Sequence, residues 1–168
     1  MLTSTDTRPR RRRPSRWLAF DEARSVLANR AVVFVGTDVE TGGRLFVGLT
    51  GVGCQVRLVR RRIQLAAFLA ERVPSVVLVD FDDPAAEASR LVRELRADPR
   101  TANAIIVAVT GGGDPAPPRR RFAAVGCDAV LSRPTDPRLV AQELLRVAPR
   151  LAERVVVPGQ SAHDPVAW

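Results

Sequence analysis

The stretch Val76-Val77-Leu78-Val79-Asp80 decides the fold of this chain. Four consecutive apolar residues indicate a strand that is buried on both faces, as in a parallel sheet covered by helices. The strand ends in a carboxylate, and ligands of open parallel sheets bind just beyond the carboxyl ends of the strands. Asp80 is therefore the first candidate for a functional side chain, and the other elements are placed around it.

Four further strands are predicted from similar short apolar runs, and a helical pattern lies in each interval. The alternation predicts right-handed crossovers and a parallel sheet with helices on both faces. At this size the fold class is α/β, a doubly wound five-stranded sheet with the flavodoxin-like order 2-1-3-4-5. The other strands are expected at 31–35, 54–59, 104–109 and 129–132, and the helices at 41–51, 63–71, 85–97, 119–125 and 136–148.

The length of 168 residues and the hydrophobic content of 46% suffice for one domain with a packed core. We expect a disordered basic arm with a short lead-in at residues 1–29, a folded domain at 30–151 and a tail at 152–168. The arginines of the arm are not followed by the apolar stretch that an export signal needs. No apolar run is long enough to span a membrane, so a cytoplasmic protein is expected.

The composition leaves few residues for catalysis or for a metal cluster. Cys54 and Cys127 stand far apart in apolar surroundings and are predicted to be reduced core thiols. The single histidine, His163, cannot complete a metal cluster or a catalytic triad. Gly111-Gly112-Gly113 lacks the Lys-Ser/Thr of a phosphate-binding loop. The chain is therefore not expected to be an enzyme.

The residues at the predicted strand ends resemble those of the receiver domains of bacterial two-component response regulators. The resemblance covers about residues 30–148, which is nearly all of the predicted domain. Several matching positions keep the family's spacing: Pro84 four residues after Asp80, Thr110 at the end of the fourth strand, and Arg133-Pro134 after the fifth strand, where the family has Lys-Pro.

The resemblance implies a site and a chemistry. In the family the aspartate of the third strand accepts a phosphoryl group from a histidine kinase, which forms an acyl phosphate. A divalent metal, usually Mg²⁺, offsets the negative charge of the phosphoryl oxygens. By position, Asp80 would be the phosphoacceptor, Thr110 the hydroxyl that binds the phosphoryl group, and Arg133 the cation.

The metal ligands are the first departure from the family. After the first strand the family has an adjacent acidic pair, whereas this sequence has Gly36 and Thr37, with Asp38 one step later. Mg²⁺ would then depend on Asp38 and Asp80, with backbone and water as further ligands. Binding of the metal is therefore predicted to be weak, and with it phosphorylation by the usual route.

Arg133 is the second departure, because the family has lysine at this position. A guanidinium pairs with two acceptors at once and is not equivalent to an ammonium group. It could pair permanently with Asp80 and hold the site in one state. Asp82 and Asp83 follow the third strand and are expected to be solvated loop residues, although either carboxylate could replace a missing acid.

Two main hypotheses follow, and the first is favoured. The chain is an atypical receiver that binds a partner protein, with reduced or absent phosphorylation of Asp80. Alternatively, it is a working phosphorelay receiver that a histidine kinase phosphorylates on Asp80. A homodimer through the fourth and fifth strands and the last helix fits either hypothesis. Nucleic-acid binding by the arm is disfavoured because a recognition helix and interleaved aromatic residues are missing.

Overall fold

The computed structural model describes residues 24–82, 85–111, 119–133 and 136–147. Five parallel strands form one sheet in the order β2-β1-β3-β4-β5, which confirms the predicted flavodoxin-like topology. The strands are β1 (Ala31–Val35), β2 (Gln55–Val59), β3 (Val76–Asp80), β4 (Ile105–Thr110) and β5 (Ala129–Ser132).

Helices connect the strands and lie on both faces of the sheet. They are α1 (Val39–Gly51), α2 (Arg62–Glu71), α3 (Ala85–Ala97), α4 (Arg119–Val125) and α5 (Pro137–Val147). A single helical turn at 24–27 precedes β1; the predicted arm and tail lie outside the described residues. In the part of the chain that the structure describes, no helix is both long and apolar enough to cross a membrane.

Each face of the sheet has its own apolar core. Helices α1 and α5 cover one face, over strand residues such as Phe34 and Leu78. Helices α2, α3 and α4 cover the other face, over residues such as Val33 and Val77. All residues of β3 and β4 are buried, as predicted for strands that are covered on both faces. The carboxyl end of β3, and with it Asp80, thus lies between two helical layers.

Both cysteines are free and buried, as the sequence predicted. Cys54 belongs to the core under α1 and α5, and its thiol lies 3.5 Å from the main-chain oxygen of Leu27, to which it donates. Cys127 belongs to the opposite core. Burial raises the pKa of Cys54 to about 11 and that of Cys127 to about 12. Neither thiol is therefore ionised near neutral pH, and both act as core side chains.

The apolar stripe of Leu91, Val92 and Leu95 in α3 predicts that Arg96 faces water, but the structure places it elsewhere. It is only 23% exposed, and its guanidinium forms an ion pair of 2.6 Å with Asp128. It also donates hydrogen bonds of 2.6–2.9 Å to three main-chain oxygens, those of Ala102, Ala104 and Gly126. The prediction for Arg96 was wrong because these acceptors belong to the loop between α3 and β4 and to the loop before β5, which the tertiary structure brings to this side chain.

Helix α2 buries a different side from the one that its apolar spacing suggested. The apolar spacing predicts an inner face of Ile63, Ala66, Ala67, Leu69 and Ala70. Of these, Leu69 packs against the core, but Ile63 is 76% exposed and the three alanines are exposed. Leu65 is buried, and Phe68 is half-buried against the core. Because nearly every position of α2 is apolar, several faces of the helix satisfy the same spacing. The local sequence therefore does not determine which of them packs.

Candidate functional site

Asp80 is the last residue of β3 and pairs with Val109 of β4 in the parallel register. Its side chain is only 2% exposed. The main-chain N–H of Asp82 donates a hydrogen bond of 3.1 Å to Asp80 Oδ1, which fixes the carboxylate at the start of the following loop. Burial raises the pKa of Asp80, and the hydrogen bond from Asp82 and the charge of Arg133 only partly offset this rise.

Gly36 allows the chain after β1 to pass directly beside Asp80. A Cβ atom at position 36 would lie 2.6 Å from Asp80 Cβ and 2.8 Å from the ring of Phe34, closer than atoms can approach. This position, where the resemblance implies an acidic residue, therefore has no room for a side chain. A carboxylate here would require Asp80 or Phe34 to move.

Asp38 is held in place by the start of α1. Its Oδ1 atom accepts a hydrogen bond of 3.0 Å from the main-chain N–H of Glu40, and it is the N-cap of the helix. Its Oδ2 atom accepts a hydrogen bond of 2.7 Å from the Thr41 hydroxyl. The hydrogen bonds from Thr41 and then from Arg133 lower the pKa of Asp38 to about 2. Asp38 is therefore a fixed, ionised carboxylate at the edge of the site.

Arg133 directly follows β5, and its guanidinium contacts both carboxylates. Its main-chain N–H donates a hydrogen bond of 2.8 Å to the main-chain oxygen of Thr110, which continues the pairing of β5 with β4. Nη1 lies 2.5 Å from Asp38 Oδ2, and Nη2 lies 3.1 Å from Asp80 Oδ1. Nη2 also donates to Oδ2 of Asp82. One guanidinium thus joins the loops after β1, β3 and β5.

The surroundings of Arg133 stabilise its charge. Burial alone lowers its pKa, but the hydrogen bond to Asp38 and the charges of Asp80 and Asp82 outweigh this, so the net shift is upward. The side chain is 19% exposed. Its Nε atom is buried and has no hydrogen-bond partner among the described residues. The two terminal nitrogens therefore carry all of its contacts with the carboxylates.

The structure brings Asp38, Asp80 and Arg133 together, as their positions at the strand ends suggested. Asp82 corrects the sequence-based expectation, because it is not only a solvated loop residue: its carboxylate also reaches the guanidinium. It turns inward because its own N–H binds the side chain of Asp80. No local pattern would have revealed this contact. Asp83, Pro84 and Pro134 lie outside the described residues.

Thr110 lies beside this ion cluster, which we define as Arg133 with Asp38, Asp80 and Asp82. It is the last residue of β4, is buried, and pairs with Ser132 of β5. With Phe81 and Phe122, whose rings meet edge to face at 5.1 Å, it lines a cavity of about 260 Å³. Asp82 also lines this cavity, which therefore adjoins the ion cluster.

A divalent metal does not fit the pocket while Arg133 is in place. Carboxylate oxygens are suitable ligands for Mg²⁺, but Asp38, Asp80 and Asp82 each contribute an oxygen to the guanidinium. Searching only the described ranges, we find no group of three or more His, Cys, Asp or Glu side chains arranged to hold a metal ion. The carboxylates surround the two terminal nitrogens of the guanidinium.

The sequence matches no protein-family model and no curated protein, but solved structures resemble the chain. A CheY-like receiver domain protein from Methanospirillum hungatei has a TM-score of 0.63 at 16% identity, over 75% of this chain and 98% of its own. A chemotaxis response regulator of Vibrio cholerae has a TM-score of 0.62 at 18% identity, over 71% and 99%. The chain has the fold of response-regulator receiver domains.

A third receiver domain belongs to a sensor histidine kinase from Pseudomonas aeruginosa and holds a magnesium ion in its active-site cleft. Its TM-score is 0.59 at 20% identity, over 74% of this chain and 99% of its own. The TM-scores establish the shared fold, and at 16–20% identity they establish the fold alone.

Proposed function

We propose that this chain is an atypical receiver: a signalling module that binds a partner protein and in which phosphorylation of Asp80 is reduced or absent. The receiver fold supports the signalling role, and the position of Asp80 at the end of β3 supports its correspondence to the phosphoacceptor. The proposed module carries a signal rather than catalysing a reaction, and its place of action is the cytoplasm.

The contact between Arg133 and Asp80 is the observation that supports reduced phosphorylation. A carboxylate that attacks a phosphoryl group uses one oxygen as the nucleophile, and a cation held in part by the other oxygen offsets the incoming charge. Asp80 Oδ1 already accepts hydrogen bonds from Arg133 and from the N–H of Asp82. Gly36 supplies no carboxylate to hold a metal. Any Mg²⁺ must therefore bind weakly through Asp38 and Asp80, in competition with the guanidinium.

The same contact links the pocket to a surface that can meet a partner. Arg133 connects β5 to α5, and its ion pairs tie this connection to the loops after β1 and β3. On the outside, Leu139 of α5 is exposed, and Arg119 of α4 pairs with Glu143 of α5 at 2.9 Å. We propose this face of β4, β5 and α5 as the docking surface for a histidine kinase, another signalling protein or a second copy of the chain.

Incubation with acetyl phosphate and Mg²⁺, followed by intact-mass measurement, tests the proposal. We expect little or no phosphorylated species under conditions in which a receiver that reacts with acetyl phosphate, used as the positive control, is fully modified. Asp80→Asn is the matched negative control, because it removes only the candidate acceptor. Stoichiometric phosphorylation of the wild type that Asp80→Asn abolishes would contradict the proposal.

That outcome would favour the second candidate function, a phosphorelay receiver that a histidine kinase phosphorylates on Asp80. One observation favours this alternative: a cavity of about 90 Å³ on the β2 side of Asp80. Arg60 and Arg62 line it together with Gly36, so two cations border the space next to the carboxylate. Glu87 also lines the cavity and opposes the binding of an anion there.

A further inference from the structure

We propose that the Arg133 guanidinium is the resident cation of the carboxylate pocket, in the place of a divalent metal ion, and that its removal creates a divalent-cation site. The proposal goes beyond the proposed function, because it concerns what balances the charge of Asp38, Asp80 and Asp82. It holds whether or not Asp80 accepts a phosphoryl group.

The charges around Arg133 support this assignment. Three carboxylates face one guanidinium, at 2.5 Å for Asp38 and 3.1 Å for Asp80, with Asp82 on the same terminal nitrogen as Asp80. Carboxylates that share one guanidinium lie close to one another and repel, most strongly at Asp80, which is almost completely buried, and less at Asp38 and Asp82, which are partly exposed. A cation is therefore stabilised in this pocket, and among the described residues Arg133 is the cation that contacts all three carboxylates.

The contacts of the guanidinium show that the carboxylates determine its position. Nε of Arg133 is buried without a partner among the described residues, which is unfavourable for a polar group. The side chain nevertheless stays in the pocket, where Nη1 and Nη2 pair with acids from two different loops. The ion pairs at the terminal nitrogens offset the burial of Nε.

Competition with free metal favours the guanidinium for two physical reasons. Arg133 is covalently attached beside the pocket, so its effective concentration there is on the order of millimolar or higher. A guanidinium is also weakly hydrated and always charged, whereas Mg²⁺ gives up its water ligands reluctantly. An occluded pocket such as that of Asp80 therefore prefers the tethered cation.

Two of the three carboxylates stay in position when the guanidinium is removed. Asp38 is the N-cap of α1 and is bound by the Thr41 hydroxyl, and Asp80 is held by the N–H of Asp82. Neither contact involves Arg133. The three carboxylates are not arranged to hold a metal ion while they contact the guanidinium. In a variant without the guanidinium, Asp38 and Asp80 keep their other contacts, and the partly exposed carboxylate of Asp82 can turn toward a divalent cation, which prefers oxygen ligands.

Titration with Mn²⁺ by calorimetry, together with thermal unfolding in EDTA and in Mn²⁺, tests the inference. The proteins are the full-length wild type, Arg133→Ala, the double variant Arg133→Ala/Asp38→Asn, and Arg138→Ala as the matched control. Arg138 is an exposed arginine of α5, and its loss changes the net charge by the same amount. Arg133→Met keeps the apolar stem and replaces Arg133→Ala if the alanine variant fails to fold.

We expect Arg133→Ala to unfold at a lower temperature than the wild type in EDTA, and Mn²⁺ to recover most of this loss. It should bind one Mn²⁺ with a dissociation constant on the order of 10⁻⁴–10⁻³ M, as in oxygen sites of modest geometry. The wild type and Arg138→Ala should bind at least about tenfold more weakly, because the tethered cation competes. In the double variant Arg133→Ala/Asp38→Asn, the loss of the Asp38 carboxylate should abolish the gain in Mn²⁺ affinity.

The inference is overturned if the wild type binds Mn²⁺ as tightly as Arg133→Ala does. It is also overturned if neither neutral variant at position 133 gains Mn²⁺ binding. The readout is independent of phosphorylation, so failure here is distinguishable from failure of the proposed function, which is tested with acetyl phosphate.

Discussion

Two half-buried arginines lie at opposite ends of the sheet, and their surroundings differ. Arg96, at the amino ends of β4 and β5, contacts one carboxylate, Asp128, and three main-chain oxygens. Arg133, at the carboxyl ends, contacts three carboxylates through its guanidinium. Each arginine joins separate loops, but Arg96 pairs with one acid, whereas Arg133 faces three.

The difference separates a structural site from a candidate functional site. Asp128 is satisfied twice, by Arg96 at 2.6 Å and by the N–H of Ile106 at 2.9 Å. The Arg133 cluster instead keeps an excess of negative charge next to the buried Asp80. Unbalanced charge in a confined place is retained at functional sites more often than in purely structural ones.

The largest expected effect is the loss of Arg96. Arg96→Ala should lower the free energy of unfolding by about 3–5 kcal/mol, because it removes the counter-ion of the buried Asp128 and the donor to three carbonyl oxygens. Urea unfolding followed by circular dichroism measures the change. Arg93→Ala is the matched control on the exposed side of α3 and should change the stability by less than about 0.5 kcal/mol. Equal effects of the two substitutions would contradict the structural role of Arg96.

An Asp→Asn substitution should change the free energy of unfolding in opposite directions at the amino and carboxyl ends of the sheet. Asp128→Asn should destabilise the fold by about 1–3 kcal/mol, because it weakens hydrogen bonds of a buried acceptor. Asp80→Asn should stabilise the fold by about 1 kcal/mol, because it removes one of three mutually repelling carboxylates. Urea unfolding at pH 7 compares them, and destabilisation of similar size in both variants would remove the distinction between the two ends.

Gly36 tests how tightly the carboxyl end is packed. Gly36→Ala should destabilise the protein by about 1–3 kcal/mol, because the added Cβ overlaps Asp80 and Phe34. Gly43 lies in α1 with open space around the position of a Cβ, so Gly43→Ala should stabilise the protein by about 0.5–1 kcal/mol. Thermal unfolding of both variants provides the comparison. A neutral Gly36→Ala would mean that the loop after β1 lies farther from Asp80.

The smallest expected effect is in the pH dependence. The pKa of Asp38 is lowered from 3.8 to about 2, so its contribution to stability is present above pH 4 and is lost as the pH falls toward 2. The pKa of Asp80 is raised above 3.8, so ionised Asp80 disfavours folding, and this cost disappears on acidification. The free energy of unfolding of the wild type, Asp38→Asn and Asp80→Asn is measured against pH at low salt. When the curve of each variant is subtracted from that of the wild type, the two difference curves should have slopes of opposite sign. Flat differences would contradict both assignments.

Much of the fold could be predicted from the sequence, because buried parallel strands are short apolar runs that need no distant information. The positions of Asp80 and Arg133 followed from the ends of β3 and β5. The start of α1 was placed too late: three glycines disguised the helix, although Asp38 followed by Glu40 is an N-cap pattern that could have located it.

The remaining contacts could not be predicted because they depend on where distant loops meet. Asp82 turns toward Arg133 only through the short loop after β3, in which its own N–H binds Asp80. Arg96 is buried by acceptors that the loops before β4 and β5 supply. In both cases the local sequence predicts a charged side chain exposed to solvent, and only the tertiary structure brings its ion-pair partner close to it.

A crystal structure of the wild-type protein grown with Mn²⁺, measured at a wavelength that reveals manganese by anomalous scattering, tests the account most directly. The account predicts the Arg133 guanidinium between Asp38, Asp80 and Asp82, and no anomalous peak among these carboxylates. A manganese peak on Asp80, with Arg133 displaced from the pocket, would contradict it.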